Sequence, residues 1–220
     1  MKATDRIIFN TGITYARAVV TSLISLYATR LILNALGAED FGLYNVIGGM
    51  VAMLSFLNVA MTVSTQRYLS FNLGKQDIEL VKKVFSNSII IHFALAFIIA
   101  VVIEVVALYF IDYQLKINPE RIYVAKYILH FAVASTFITI ISVPYDAVIN
   151  AHENMVFLAV TSIIEAFFKL TIALLIVYIS EDKLILFGFL TMVSAIIIRI
   201  IKQVYSKRKY EECSASLRTY

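Results

Sequence analysis

Residues 29–50 read TRLILNALGAEDFGLYNVIGGM, and this stretch decides the fold. An apolar run ends at Leu36, Gly37 follows, and after the acidic pair Glu39 and Asp40 a second apolar run starts at Gly42. Gly37 supplies the backbone freedom that ends one helix, and Glu39 and Asp40 stand where the first turn of the next favours negative charge. Both flanks stay apolar for longer than a soluble helical hairpin needs. The pattern over 29–53 predicts a transmembrane hairpin.

Working outward, the 220 residues are 60% hydrophobic and 15% charged, with a mean hydropathy of +0.84. A water-soluble domain usually carries about 25% charged residues, so the class is integral membrane protein. Two prolines and seven glycines leave no room for a disordered linker or a separate soluble domain. The expectation is one six-helix membrane unit over residues 1–220. The single cysteine, Cys213, excludes an internal disulfide framework and the usual zinc spacings. It reads as a free thiol in a basic tail, 202–220, facing a reducing cytoplasm. The apolar run after Arg6 is too long for a signal-peptide core and lacks a small-residue cleavage site, so the first helix should persist. Basic residues sit beside helix ends instead of forming a patch with interleaved aromatics, which argues against nucleic acid.

Apolar windows of roughly 20 residues, enough to cross about 30 Å of hydrocarbon, fall at 8–36, 42–63, 84–111, 122–149, 155–179 and 184–201. Strand-like alternation is absent, so the fold class is all-α and polytopic. With the N-terminus inside, eleven basic residues collect on the cytoplasmic side: Lys2, Arg6, Arg67, Lys75, Lys82, Lys83, Lys202, Lys207, Arg208, Lys209 and Arg218. Only Lys116, Arg121, Lys126 and Lys183 collect opposite. That asymmetry places both termini in the cytoplasm.

Arg17, Arg30, Lys169 and Arg199 remain within or near the hydrocarbon. A charge there costs about 2.5–3.5 kcal/mol on insertion scales, so it normally faces a partner, a bundle interior or a water-filled cavity. At about 100° per residue, Asn10, Thr14, Arg17, Thr21 and Ser25 share an arc of roughly 80°. Arg17 is read as lining a cavity or ligand site, against snorkelling or a structural pair. Gly48, Ser55, Thr62 and Gln66 form a second narrow stripe, read chiefly as helix packing. Arg30 lies about 140° from Arg17 and near enough to the outer surface to snorkel. Glu165 and Lys169, four apart with the acid first, suit an intrahelical ion pair or a pair that a ligand or proton opens. Glu104 has no neighbour on its own turn and needs a partner elsewhere, a proton or the interface. Pro144 should kink or end the fourth helix ahead of Asp146, Asn150, His152 and Glu153. His92 and His130 read as hydrogen-bonded packing residues. No phosphate loop, nucleophile elbow, paired histidines or Asp-rich metal motif is present, so no enzyme, cofactor or metal is expected.

Several runs carry a resemblance. Tyr15, Ala16 and Arg17, then Leu26 to Arg30, then Leu36 and Gly37 with 40–46 resemble the polysaccharide-biosynthesis flippases. These are the Wzx-type O-antigen exporters of the multidrug/oligosaccharidyl-lipid/polysaccharide superfamily. Residues 65–70 with Leu73, Gly74 and Lys75, then 143–147 through Ala151, His152 and Glu153, and 165–170 extend the similarity across the chain. The resemblance implies the amino-terminal lobe of a two-lobed, MATE-like flippase in a bacterial inner membrane. The chain is then a truncated or split product, or a lobe that assembles with a second lobe or with its own copy. It also implies a lipid-linked oligosaccharide as partner, with an anionic undecaprenyl-pyrophosphate head group translocated without covalent chemistry. On that reading Arg17 contacts pyrophosphate, with Arg30, Arg67 and Lys169 as further substrate-binding residues. Asp146 and Glu165 suit ion coupling. A multidrug-type cation-coupled exporter and a non-transporting membrane scaffold or inert fragment stay open as alternatives.

Overall fold

The computed structural model describes residues 3–53, 55–178 and 182–214. Helices follow one another as α1 (Ala3–Ala52), α2 (Ser55–Gly74), α3 (Ile78–Tyr113), α4 (Pro119–Ile140), α5 (Val143–Ala151), α6 (Met155–Tyr178) and α7 (Lys183–Lys209), and a 3₁₀ turn covers Glu211–Ser214. No strand occurs among the described residues. The protein is all-α and, by the length and apolarity of its helices, a multi-pass membrane protein.

Gly37 breaks α1 with φ +79° and ψ 171°, a region essentially confined to glycine. Helical geometry resumes at once, so α1 has a first arm up to residue 36 and a second arm from 38. Ala28 and Ile32 on the first arm join one buried cluster with Ile176 and Phe187, and Phe41 and Tyr44 on the second arm pack against it. The chain doubles back there, as a hairpin requires.

The second crossing differs from the expected continuous helix at 42–63. It starts at residue 38, stops in a turn at Met53, and continues as α2 to Gly74. Gly48 and Gly49, poor helix formers, precede that stop. Gly48 and Thr62 therefore lie on separate helical pieces, and the second stripe is not one continuous face. Ser55 contributes no described side chain. Where α2 meets α3, the buried Thr65 Oγ1 lies 3.4 Å from Ser88 Oγ instead.

Among the described residues, five helical spans are long and apolar enough to cross a membrane: Ile7–Ala52, Ile78–Tyr113, Pro119–Ala151, Met155–Tyr178 and Lys183–Lys209. The first contains the Gly37 turn, which divides it into two arms. The span expected at 122–149 is two helices. It ends at Ile140, turns, and restarts as α5 with Pro144 in the first turn, where a missing N–H leaves no helical bond unmade. The α1 first arm packs on α6, α3 on α4, α4 on α7 and α2 on α5. Ile47, Ala96, Ile103, Ile128, Leu129 and Leu184 form the central cluster. Large apolar side chains such as Leu26, Phe97, Val105 and Leu175 point outward, as hydrocarbon solvent permits.

At the Asp40 end of the bundle, Arg121 ties three helix starts together. Its Nη2 lies 2.5 Å from Asp40 Oδ2 and its Nη1 2.5 Å from Asp182 Oδ2. Asp182 also caps α7 by accepting from the Leu184 and Ile185 N–H groups.

The other end corrects the expected free tail. α7 continues to Lys209 instead of stopping at 201, and the 3₁₀ turn folds back onto the bundle. Tyr210 stacks on His152 at 4.2 Å, Glu212 Oε1 lies 2.6 Å from His152 Nε2, and Lys82 pairs with Glu211 at 2.5 Å. Burial pushes the Glu212 carboxyl up, but the hydrogen bond from His152, a backbone hydrogen bond and the charges of His152 and Lys82 outweigh it and hold the group below its ordinary value. Cys213 is a buried thiol, not an exposed one. Burial, with the Glu212 charge adding to it, pushes the thiol up to about 12. Residues 215–220 of the expected tail lie outside the described residues.

Two substitutions probe the Asp40 end. Gly37→Ala should destabilise by about 1–3 kcal/mol through backbone strain alone, since nothing lies within 4 Å of an added Cβ. Arg121→Gln should cost about 1–3 kcal/mol, below the range for a fully buried pair, because its side chain is 32% exposed while Asp40 is 10% exposed. Thermal unfolding of the purified protein in detergent checks both, and an unchanged Tm for either refutes the corresponding role.

Candidate functional site

A polar concavity of about 600 Å³ lies between the first arm of α1, α6 and α7. Arg17, Thr21 and Ser25 line it from α1, at the spacing that puts every fourth residue on one face. Ser162, Glu165 and Lys169 line it from α6 at i, i+3 and i+7, again one face. Thr191 and Ser194 complete it from α7, with Tyr44 and Phe187 at one end, their rings 4.8 Å apart edge to face.

Three hydroxyls in this cleft donate to their own helices. Thr21 Oγ1 donates to the Arg17 carbonyl at 2.8 Å, Thr191 Oγ1 to the Phe187 carbonyl at 2.8 Å, and Ser194 Oγ to the Thr191 carbonyl at 2.7 Å. Their oxygen lone pairs stay free to accept from a ligand. The arrangement presents acceptors and two cations to whatever fills it.

The intrahelical pair expected between Glu165 and Lys169 is not formed. Lys169 Nζ crosses to α1 and donates to Thr29 Oγ1 at 3.3 Å, while Thr29 Oγ1 donates to the Ser25 carbonyl at 2.8 Å. The physical reason is packing: α6 lies along the first arm of α1, so a lysine on that face meets a neighbouring helix before it meets its own preceding turn. Glu165 is exposed in the cleft and makes no ion pair among the described residues. Arg17 and Lys169 against Glu165 leave the lining with a formal charge of +1.

Of the six residues singled out in the sequence, Arg17, Lys169 and Glu165 share this cleft. Arg30 and Arg67 are exposed and lie outside it. Asp146 is also outside, on α5, with its Oδ1 2.8 Å from Lys202 Nζ. Arg199 stays half-buried outside the cleft, and its buried Nε has no hydrogen-bond partner among the described residues. Glu104 finds its partner across a helix boundary, with Oε1 2.5 Å from His130 Nδ1. His92 is a packing residue: its Nδ1 lies 2.6 Å from the Ser88 carbonyl in a buried setting. Thr29, Ser162, Thr191 and Ser194 were missed. The spacing of Ser162 to Glu165 and Lys169 was the available signal for the α6 face, whereas nothing in the sequence of α7 pointed its hydroxyls at α1.

A family model described as MatE matches residues 16–175. Neither the curated proteins nor the solved structures contain a match to the chain.

Thiol chemistry checks the contrast between this cleft and the buried tail. A charged thiol reagent should label a Ser22→Cys variant, whose residue is exposed in the cleft, and leave the wild-type Cys213, 3% exposed, unmodified until denaturant is added. Labelling of native wild-type protein, or an inert Ser22→Cys, contradicts this placement.

Proposed function

Because the chain belongs to the MatE family, whose members are membrane transporters of the multidrug/oligosaccharidyl-lipid/polysaccharide superfamily, we propose that it acts as the amino-terminal, substrate-facing lobe of a flippase for lipid-linked oligosaccharide. The cargo is a sugar unit on undecaprenyl pyrophosphate, moved from the cytoplasmic to the outer leaflet of a bacterial inner membrane. Eleven basic residues against four favour an orientation with both termini in the cytoplasm.

The observation that carries this reading is the meeting of Arg17 and Lys169 in one cleft with a single acid. A pyrophosphate offers oxygens for charge-assisted hydrogen bonds, bidentate from the Arg17 fork and point-like from Lys169. Inside a low-dielectric bundle such contacts outweigh those in bulk water. The hydroxyls of Thr21, Ser25, Ser162 and Ser194 suit the polar edge of a sugar. Translocation by charge matching and rocking of lobes needs no covalent step. Arg30 and Arg67, exposed elsewhere, serve the substrate only against a second lobe or a second copy of the chain.

Glu165 supplies a coupling device. Protonation takes the lining from +1 to +2 and strengthens its hold on an anion; deprotonation weakens it. Asp146 is the lesser coupling candidate, since Lys202 already balances it. The exposed Glu165 also favours a second reading, a multidrug-type exporter in which this carboxylate takes a cationic compound.

The test uses cells whose surface polysaccharide depends on the transporter. Arg17→Ala and Lys169→Ala should each lower surface polysaccharide by roughly tenfold at equal protein level, with Arg17→Lys partly active and drug resistance unchanged. Loss of drug resistance with normal polysaccharide selects the multidrug reading. Loss of neither selects a scaffold.

A further inference from the structure

Two further concavities, away from the polar cleft, lie along one face of the α1 second arm. Glu39, Leu43, Val46, Met50 and Met53 line them at i, i+4, i+7, i+11 and i+14, an arc of about 80° on an ideal helix. Two cavities share this face, one above the other. The upper, of about 210 Å³, is rimmed by Glu39, Lys116, Asn118 and Arg121. The lower, of about 360 Å³, is walled by Met50, Met53, Val102, Val106 and Phe110. From Glu39 to Met53 the helical rise is about 21 Å, more than the roughly 15 Å depth of one leaflet.

The charges at the rim are of both signs, and only some are spent. Arg121 is engaged by Asp40 and Asp182. The exposed side chains of Lys116 and Glu39 make no ion pair among the described residues. A cation and an anion without ion-pair partners among the described residues therefore rim the upper cavity, and the apolar lower cavity continues the same helix face toward the bilayer centre.

We propose that this face is a binding site for a glycerophospholipid with a zwitterionic aminoethyl head group, its phosphate on Lys116, its ammonium on Glu39 and one acyl chain along the Met50–Val106 groove. An ammonium suits Glu39 better than a quaternary amine does, because it donates hydrogen bonds to a carboxylate and a trimethylated nitrogen cannot. An anionic head group matches Lys116 but is repelled by Glu39. The groove accepts a flexible chain because its walls are the unbranched, adaptable Met50 and Met53 facing valines and Phe110. This site uses none of the cleft residues, so it stands or falls separately from the transport reading.

Native mass spectrometry of the purified chain tests it, after exchange into detergent with equal amounts of phosphatidylethanolamine, phosphatidylcholine and phosphatidylglycerol of matched acyl chains. Wild type should retain phosphatidylethanolamine over phosphatidylcholine by roughly tenfold. Glu39→Gln should abolish that preference and raise phosphatidylglycerol above both. Lys116→Gln should lower retention of all three lipids, each of which carries the phosphate, and leave the preference for phosphatidylethanolamine over phosphatidylcholine in place. Val106→Trp, which fills the groove from an exposed position, should lower all three without reordering them. Equal retention of the three lipids, unmoved by the variants, means annular lipid only and overturns the proposal, as does retention of phosphatidylethanolamine that Lys116→Gln leaves unchanged or a preference over phosphatidylcholine that survives Glu39→Gln.

Discussion

Arg121 is the contact on which the Asp40 end of the bundle depends. One guanidinium spans Asp40, just past the Gly37 turn, and Asp182, the cap of α7, while standing itself in the first turns of α4. Three helix starts that are distant in sequence converge on five fixed donors. Asp40 is nearly buried, so a carboxylate there without Arg121 is an uncompensated charge. The planar fork satisfies both acids at once, which a lysine's point charge does not reproduce.

With that end closed, the remaining freedom lies in what the helices present to one another and to lipid. Hydrocarbon solvates apolar side chains, so outward faces need no pattern beyond apolarity. Polar side chains must turn inward or find partners. The described contacts obey this: Asp112 with Lys126 and Asp146 with Lys202 each neutralise a charge across a helix boundary, and Glu104 meets the His130 ring across another. The cleft between α1, α6 and α7 departs from it, because Arg17 and Glu165 line it without forming a pair and Lys169 rests on a neutral hydroxyl. Charges left available beside a cavity of about 600 Å³ are what an ionic cargo requires.

The opposite end is held by aromatic stacking and one buried acid, Glu212, instead of a single arginine. Phe157 stacks on Tyr205 at 3.6 Å, and Tyr205 and Tyr210 both receive hydrogen bonds from Asn154. The chain after α7 thereby joins the cluster of Leu69, Val81, Phe85 and Tyr145. Its basic composition suggested a solvated tail, but Tyr210, Glu212 and Cys213, just after Lys207, Arg208 and Lys209, bury themselves. Charge counts over a segment do not report which of its residues find partners.

How much was legible in the sequence follows from the range of the interactions involved. Apolarity, the positions of Gly37 and Pro144 and the face shared by Arg17, Thr21 and Ser25 are local properties of a helix in hydrocarbon. By itself the sequence thus determined an all-α, multi-pass architecture, its first turn and the polar stripe of the first arm. The break at Met53, the partners of Glu104 and Asp146, and the release of Lys169 from Glu165 depend on which helix lies beside which. Only the tertiary structure decided that Arg17, Glu165 and Lys169 share one cleft while Arg30, Arg67 and Asp146 stand elsewhere. A residue's angle around its own helix is set by 3.6 residues per turn, but the neighbour it meets at that angle is set by packing across the whole bundle.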